Sequence, residues 1–79
     1  MRTLLLLGRP ECHLCEEFES ALNSFLGEAA VRIDHACVDD RGEWRMRFGT
    51  RIPVLLDEAG EVLAEGRFDP AALPPGSLA

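Results

Sequence analysis

Apolar residues fall in short blocks whose period changes along the chain. Thr3 to Leu7 is a nearly continuous apolar run closed by Gly8, the length of a strand buried on both faces, as in a parallel sheet. Gly8-Arg9-Pro10-Glu11 reads as a loop. Beyond it Leu14, Phe18, Ala21, Leu22, Phe25 and Leu26 recur at spacings of three and four, which predicts a helix with one apolar stripe. Glu16, Glu17 and Glu19 load its first turns with the charge that a helix N-terminus favours, and Gly27 is a natural stop. From Val31 to Val38 the period becomes two: Val31, Ile33, His35 and Cys37 share one face, and Arg32, Asp34, Ala36 and Val38 the other. The mixed polarity of the second face predicts an edge strand.

Asp40-Arg41-Gly42-Glu43 has capping-box spacing, with an acid in place of Ser or Thr. A short helix to Phe48 would set Trp44 and Phe48 one turn apart as core residues and end at Gly49. Ile52 to Leu56 reads as the third strand, and Pro53, which lacks an N–H, is expected at the strand's first position. Asp57 to Glu61 is a hairpin connection, and Val62 to Glu65 the fourth strand. Asp69-Pro70 joins an N-cap to a proline at N1, opening a brief last helix that Pro74-Pro75 ends. The order is βαβ-α-ββ-α over one domain, residues 1–79. It implies a four-stranded mixed sheet of the α/β (α+β) kind, flanked by helices, with a parallel βαβ pair and an antiparallel hairpin.

Charge narrows the partners. Fourteen acidic residues against eight basic ones, all Arg, give a net charge of −6. This argues against nucleic acid or an anionic membrane, since both need a basic face. The opening run Leu4–Leu7 is too short for a bilayer span of about 20 residues or a secretory core of about 7–15. Three cysteines without such a leader fit a reducing compartment, so the cytoplasm is expected. Cys12-His13-Leu14-Cys15 is a C-x-x-C, which by itself is a redox dithiol, half a zinc site or coincidence. His35 and Cys37 could complete a zinc set, but they lie mid-strand, where closed zinc sites are not built, so no metal is expected. Cys37 reads as a small buried hydrophobe.

Three marks, in order and spanning nearly the whole chain, resemble the thioredoxin-fold superfamily and in particular a small glutaredoxin-like protein. The first is strand, loop, C-x-x-C and helix: Leu4–Leu7, then Cys12 and Cys15. The second is Val38-Asp39-Asp40 leading through a helix to Arg47-Phe48-Gly49-Thr50-Arg51-Ile52-Pro53-Val54-Leu55. The third is Gly66-Arg67-Phe68-Asp69, similar to the Gly-Gly-x-x-Asp element of glutaredoxins. The resemblance implies a thioredoxin fold and thiol–disulfide exchange, with Cys12 as nucleophile and Cys15 as the more buried resolving thiol. It implies a cis Pro53 facing the cysteines, with the Ile52 backbone exposed to pair with an extended thiol peptide. Arg9, Arg51, Gly66, Arg67 and Asp69 become candidates for a substrate or glutathione site. The substrate would be a protein or small-molecule disulfide, and the reductant glutathione or a thioredoxin-type protein. The competing reading is a non-catalytic module that binds a partner through the same groove.

The residues supply the chemistry independently. Exchange needs a thiolate, and the free N–H groups at a helix start favour one at Cys12. Arg9, three residues earlier, would lower the thiol pKa, and so would a protonated His13; Glu11, Glu16 and Glu17 would oppose them. Against the glutaredoxins it resembles, this chain has His-Leu where they usually carry Pro-Tyr between the cysteines, Arg51 in place of the common Thr before Ile-Pro, and Glu65 in place of the first Gly of the pair. Glutathione is therefore expected to be at most a weak co-substrate, and no resident cofactor is expected.

Overall fold

The computed structural model describes residues 2–73. Its strands are β1 (Arg2–Gly8), β2 (Val31–Cys37), β3 (Val54–Leu56) and β4 (Val62–Glu65), and its helices are α1 (His13–Leu26) and α2 (Gly42–Phe48). Short 3-10 turns occupy Val38–Asp40 and Pro70–Ala72. The four strands form one sheet in the order β2-β1-β3-β4. β1 runs parallel to β2 and antiparallel to β3, and β3 is antiparallel to β4. This is a thioredoxin-like fold with an α+β mixed sheet. The polar-faced β2 is an edge strand, as its pattern predicts.

Alternation along β1 builds two cores. Leu4 and Leu6 pack with Phe18 and Leu22 of α1 and with Leu55. Leu7 packs on the opposite face with Val38, Phe48 of α2, Val54 and Leu56. Burying a side chain of this size stabilises the fold by about 1.5–3 kcal/mol, so two facing layers compensate for the small size. The stripe of α1 is only partly covered: Phe18 and Leu22 are buried, whereas Leu14 is 48% and Phe25 50% exposed. A single sheet face reaches the middle of that stripe, and Phe25 meets the Phe68 ring at 5.5 Å.

Four boundaries differ from the sequence reading. β2 ends at Cys37, and Val38 begins a tight turn whose buried side chain enters the second core. Asp40 does not cap α2, whose N-cap is Arg41; its Oδ2 instead accepts the Cys37 N–H at 3.2 Å, so the acid closes the preceding turn. β3 is only three residues, with Pro53 just before it. The Pro70–Ala72 turn stands where the last helix was expected; Pro74 and Pro75 lie outside the described residues.

Candidate functional site

The C-x-x-C sits where β1 hands over to α1. Cys12 is the N-cap of α1 in an extended conformation (φ −94°, ψ 104°), and its carbonyl accepts the first helical bond from the Glu16 N–H at 3.1 Å. Its sulfur accepts the Cys15 backbone N–H at 3.1 Å. A sulfur thus takes the position of the usual capping oxygen, and any negative charge on it meets unpaired amides and the positive end of the helix dipole. Cys12 and Cys15 are joined as a disulfide, with Cα atoms 5.2 Å apart. Cys15 rests on the sheet at Gly8, where an added Cβ would stand 3.0 Å from the Cys15 sulfur. The absence of a side chain at Gly8 is what lets the second sulfur lie against β1.

A cavity of about 450 Å³ opens beside the disulfide, lined among others by Gly8, Arg9, Cys12, Cys15, His35 and Cys37. Cys37 is missed by the sequence reading. Its place opposite Gly8 in the parallel register carries a half-buried, unoxidised thiol to the cavity wall. Alternation along β2 places it on the α1 face, but only the register with β1 shows that this position lies beside the C-x-x-C.

Arg9 also lines the cavity, yet its guanidinium is held from the far side. Nε and Nη2 donate to both oxygens of Asp39 at 2.8 and 3.0 Å, and Nη1 donates to the Gly49 carbonyl at 2.7 Å. This fork holds the Asp39 carboxyl below its ordinary range and raises the Arg9 pKa. Arg9 therefore clamps β1 to the turn after β2 and to the end of α2. His13 is 82% exposed, and its ring nitrogens face Glu17 at 3.2 Å and Glu16 at 3.9 Å. His35 pairs with Glu19 across the α1–β2 gap.

The other predicted site residues are not gathered in this cavity. Ile52 packs on the second core, and Pro53 is buried behind a cis peptide bond. The Pro53 carbonyl accepts the Gly66 N–H at 2.8 Å. Arg51 is paired with Glu65, its Nε 2.7 Å from Oε2. Gly66, at φ 74°, and Arg67 line a second cavity with Leu14, Glu17 and Phe18 on the other flank of α1. Asp69 caps the last turn, its Oδ1 accepting the Ala71 N–H at 3.0 Å. Among the described residues, no three His, Cys, Asp or Glu side chains are grouped so as to hold a metal ion.

A four-stranded mixed sheet with C-x-x-C at the cap of its first helix defines a thioredoxin-like fold carrying a redox-capable cysteine pair. Residues 3–73 match the family model described as Glutaredoxin-like domain (DUF836), and the chain belongs to that family. Among solved structures it is similar to a Nitrosomonas europaea protein determined by NMR, with TM-score 0.79 and 25% identity over 90% of this chain and 85% of that one. It is also similar to a protein from X. campestris determined by X-ray methods, with TM-score 0.69 and 30% identity over 87% of each chain. No curated protein matches the sequence. No helix among the described residues is long and apolar enough to cross a membrane.

Proposed function

We propose that this protein is a thiol–disulfide oxidoreductase in which Cys12 attacks and Cys15 resolves. The observation that carries the reading is the asymmetry of the pair: the Cys12 sulfur occupies the helix cap and accepts an amide, whereas Cys15 lies against Gly8. In the reduced protein the Cys12 thiolate attacks one sulfur of a substrate disulfide. A Cys12–substrate bond forms, and the other substrate half leaves as a thiolate that takes a proton from water. The Cys15 thiol then loses its proton to solvent and attacks the Cys12 sulfur. The Cys12–Cys15 disulfide forms, the second substrate half is released, and two electrons have passed from the dithiol to the substrate. An extended substrate would pair with the Ile52 backbone ahead of Pro53.

Glutathione is a poor fit in this reading. Arg9 and Arg51, which would hold its carboxylates, are already engaged by Asp39 and Glu65, leaving Arg67 of the candidate cations beside Gly66. The substrates would be protein or small-molecule disulfides, with a thioredoxin-type protein as the preferred reductant.

Mass spectrometry of the single mutants after exposure to a disulfide substrate tests the assignment. Cys15→Ser should accumulate a mixed disulfide at Cys12, and Cys12→Ser should not react. An adduct on Cys12→Ser alone would reverse the roles. Adducts on neither would favour the non-catalytic binding module.

A further inference from the structure

The residue immediately before the nucleophile is conformationally unusual. Glu11 has φ 59°, and among the described residues it is the only one other than glycine with a positive φ. A β-carbon is disfavoured there, whereas glycine adopts that conformation freely. Backbone strain of this kind clusters at active sites and persists where the surrounding structure over-determines it. Glu11 lines the disulfide cavity, and no ion pair or side-chain hydrogen bond holds its carboxylate among the described residues.

The rest of the cavity is charged in the same sense. Its arginine, Arg9, is neutralised by Asp39, and His35 and Glu19 are paired with each other. Glu16, also in the lining, is 76% exposed and has only the distant His13 ring at 3.9 Å. Glu11 and Glu16 therefore flank Cys12 in sequence, stand in one cavity with the disulfide and lack an arginine partner. Arg9, the arginine that the sequence places three residues before Cys12, has its own carboxylate in Asp39.

Resting on the oxidoreductase reading, we propose that Glu11, with Glu16, selects cationic substrates: disulfides that carry Arg or Lys beside the half-cystine that Cys12 attacks. The two carboxylates draw such a substrate to the cavity mouth and repel one with acidic neighbours. Glu11 acts on the approach and placement of the substrate, and the electron transfer remains with the cysteines. Charges this exposed act through a field that salt screens, over about 30 Å at 0.01 M and about 3 Å at 1 M ionic strength. Steering of this kind raises association rates by about 10-fold or more at low salt.

The test uses the full reduced chain and two peptide disulfides identical except that the cysteine is flanked by Arg in one and by Glu in the other. At low salt the Arg peptide should be reduced about tenfold faster, and the gap should shrink below about threefold at 1 M salt. Glu11→Gln should narrow the low-salt gap by about threefold, read as the ratio of the two peptides' rates, in which any change common to both peptides cancels. Glu11→Gly should narrow it similarly and raise Tm, because glycine relieves the backbone at this position. A purely structural Glu11 would move Tm without touching the gap. Equal rates for the two peptides at low salt, or a faster Glu peptide, would overturn the inference while leaving the redox reading intact. A wild-type gap that persists in Glu11→Gln would remove Glu11 from it. Failure of both peptides to react would refute the oxidoreductase reading and the inference with it.

Discussion

Gly8→Ala is the smallest change that should reach the chemistry without touching a cysteine. The new Cβ would stand 3.0 Å from the Cys15 sulfur and 3.3 Å from its Cβ. Carbon and neighbouring heavy atoms are comfortable at about 3.5–4.0 Å, so Cys15 has to retreat by about 0.5–1 Å. In the oxidised protein the retreat is resisted, because the Cys15 sulfur is bonded to Cys12 and its backbone is fixed in the first turn of α1. Overpacking a constrained site costs about 1–3 kcal/mol. In the reduced protein the thiol is free to turn about χ1 and relieve most of the contact. The penalty therefore falls on the disulfide form. For a two-electron couple 30 mV corresponds to about 1.4 kcal/mol, so the reduction potential should rise by about 20–65 mV. The assay is equilibration of wild type and Gly8→Ala against graded thiol buffers, with urea unfolding of each redox form. The oxidised variant should lose more stability than the reduced one. An unchanged potential, or equal destabilisation of the two forms, would refute the idea that Cys15 is seated on Gly8 in the oxidised state.

Other consequences are simpler to check. Phe18→Ala removes a fully buried ring that meets Phe68 edge-on at 5.4 Å; it should cost about 3–5 kcal/mol in chemical denaturation, a large share of a total of about 5–15. Asp69→Ala deletes the cap of the last turn and should lower stability by about 0.5–2 kcal/mol, with unchanged reduction of a small uncharged disulfide. Asp39 and Glu58 have carboxyl pKa values held below normal, Asp39 by Arg9 and Glu58, down to about 2, by Arg2. Their contribution is complete above the unfolded carboxylate pKa near 4 and is lost as pH falls toward 2. Tm should therefore decline across that window, and Asp39→Asn should make the decline shallower.

The periodicity of the chain was enough to place the elements. The run Thr3–Leu7, the stripe from Phe18 to Leu26 and the alternation from Val31 each have one low-energy way to bury their apolar atoms, so local pattern dictates strand, helix and strand. The C-x-x-C after a strand and before a helix was legible for the same reason, since cap and dipole are local properties of the backbone. What the tertiary structure decided depends on residues far apart in sequence. Arg9 reads as a free cation near Cys12, but folding brings Asp39 and Gly49 to it from 30 and 40 residues away, and the three converge only once β1, β2 and α2 are assembled. Asp40 matches a capping box, but β2 ends one residue early and the carboxylate meets the Cys37 amide first. Cys37 lies 22 residues beyond Cys15, and only the pairing of Cys37 with Gly8 carries it to the cavity beside the disulfide. The left-handed backbone at Glu11 has no signature in its side chain, because a Glu there satisfies no local rule; the strand-to-helix handover imposes it. Local pattern thus settled which segments fold into what and where a thiolate is favoured. The register and packing of the sheet settled which charges remain free around it, because a charge is cancelled by whatever the fold sets beside it.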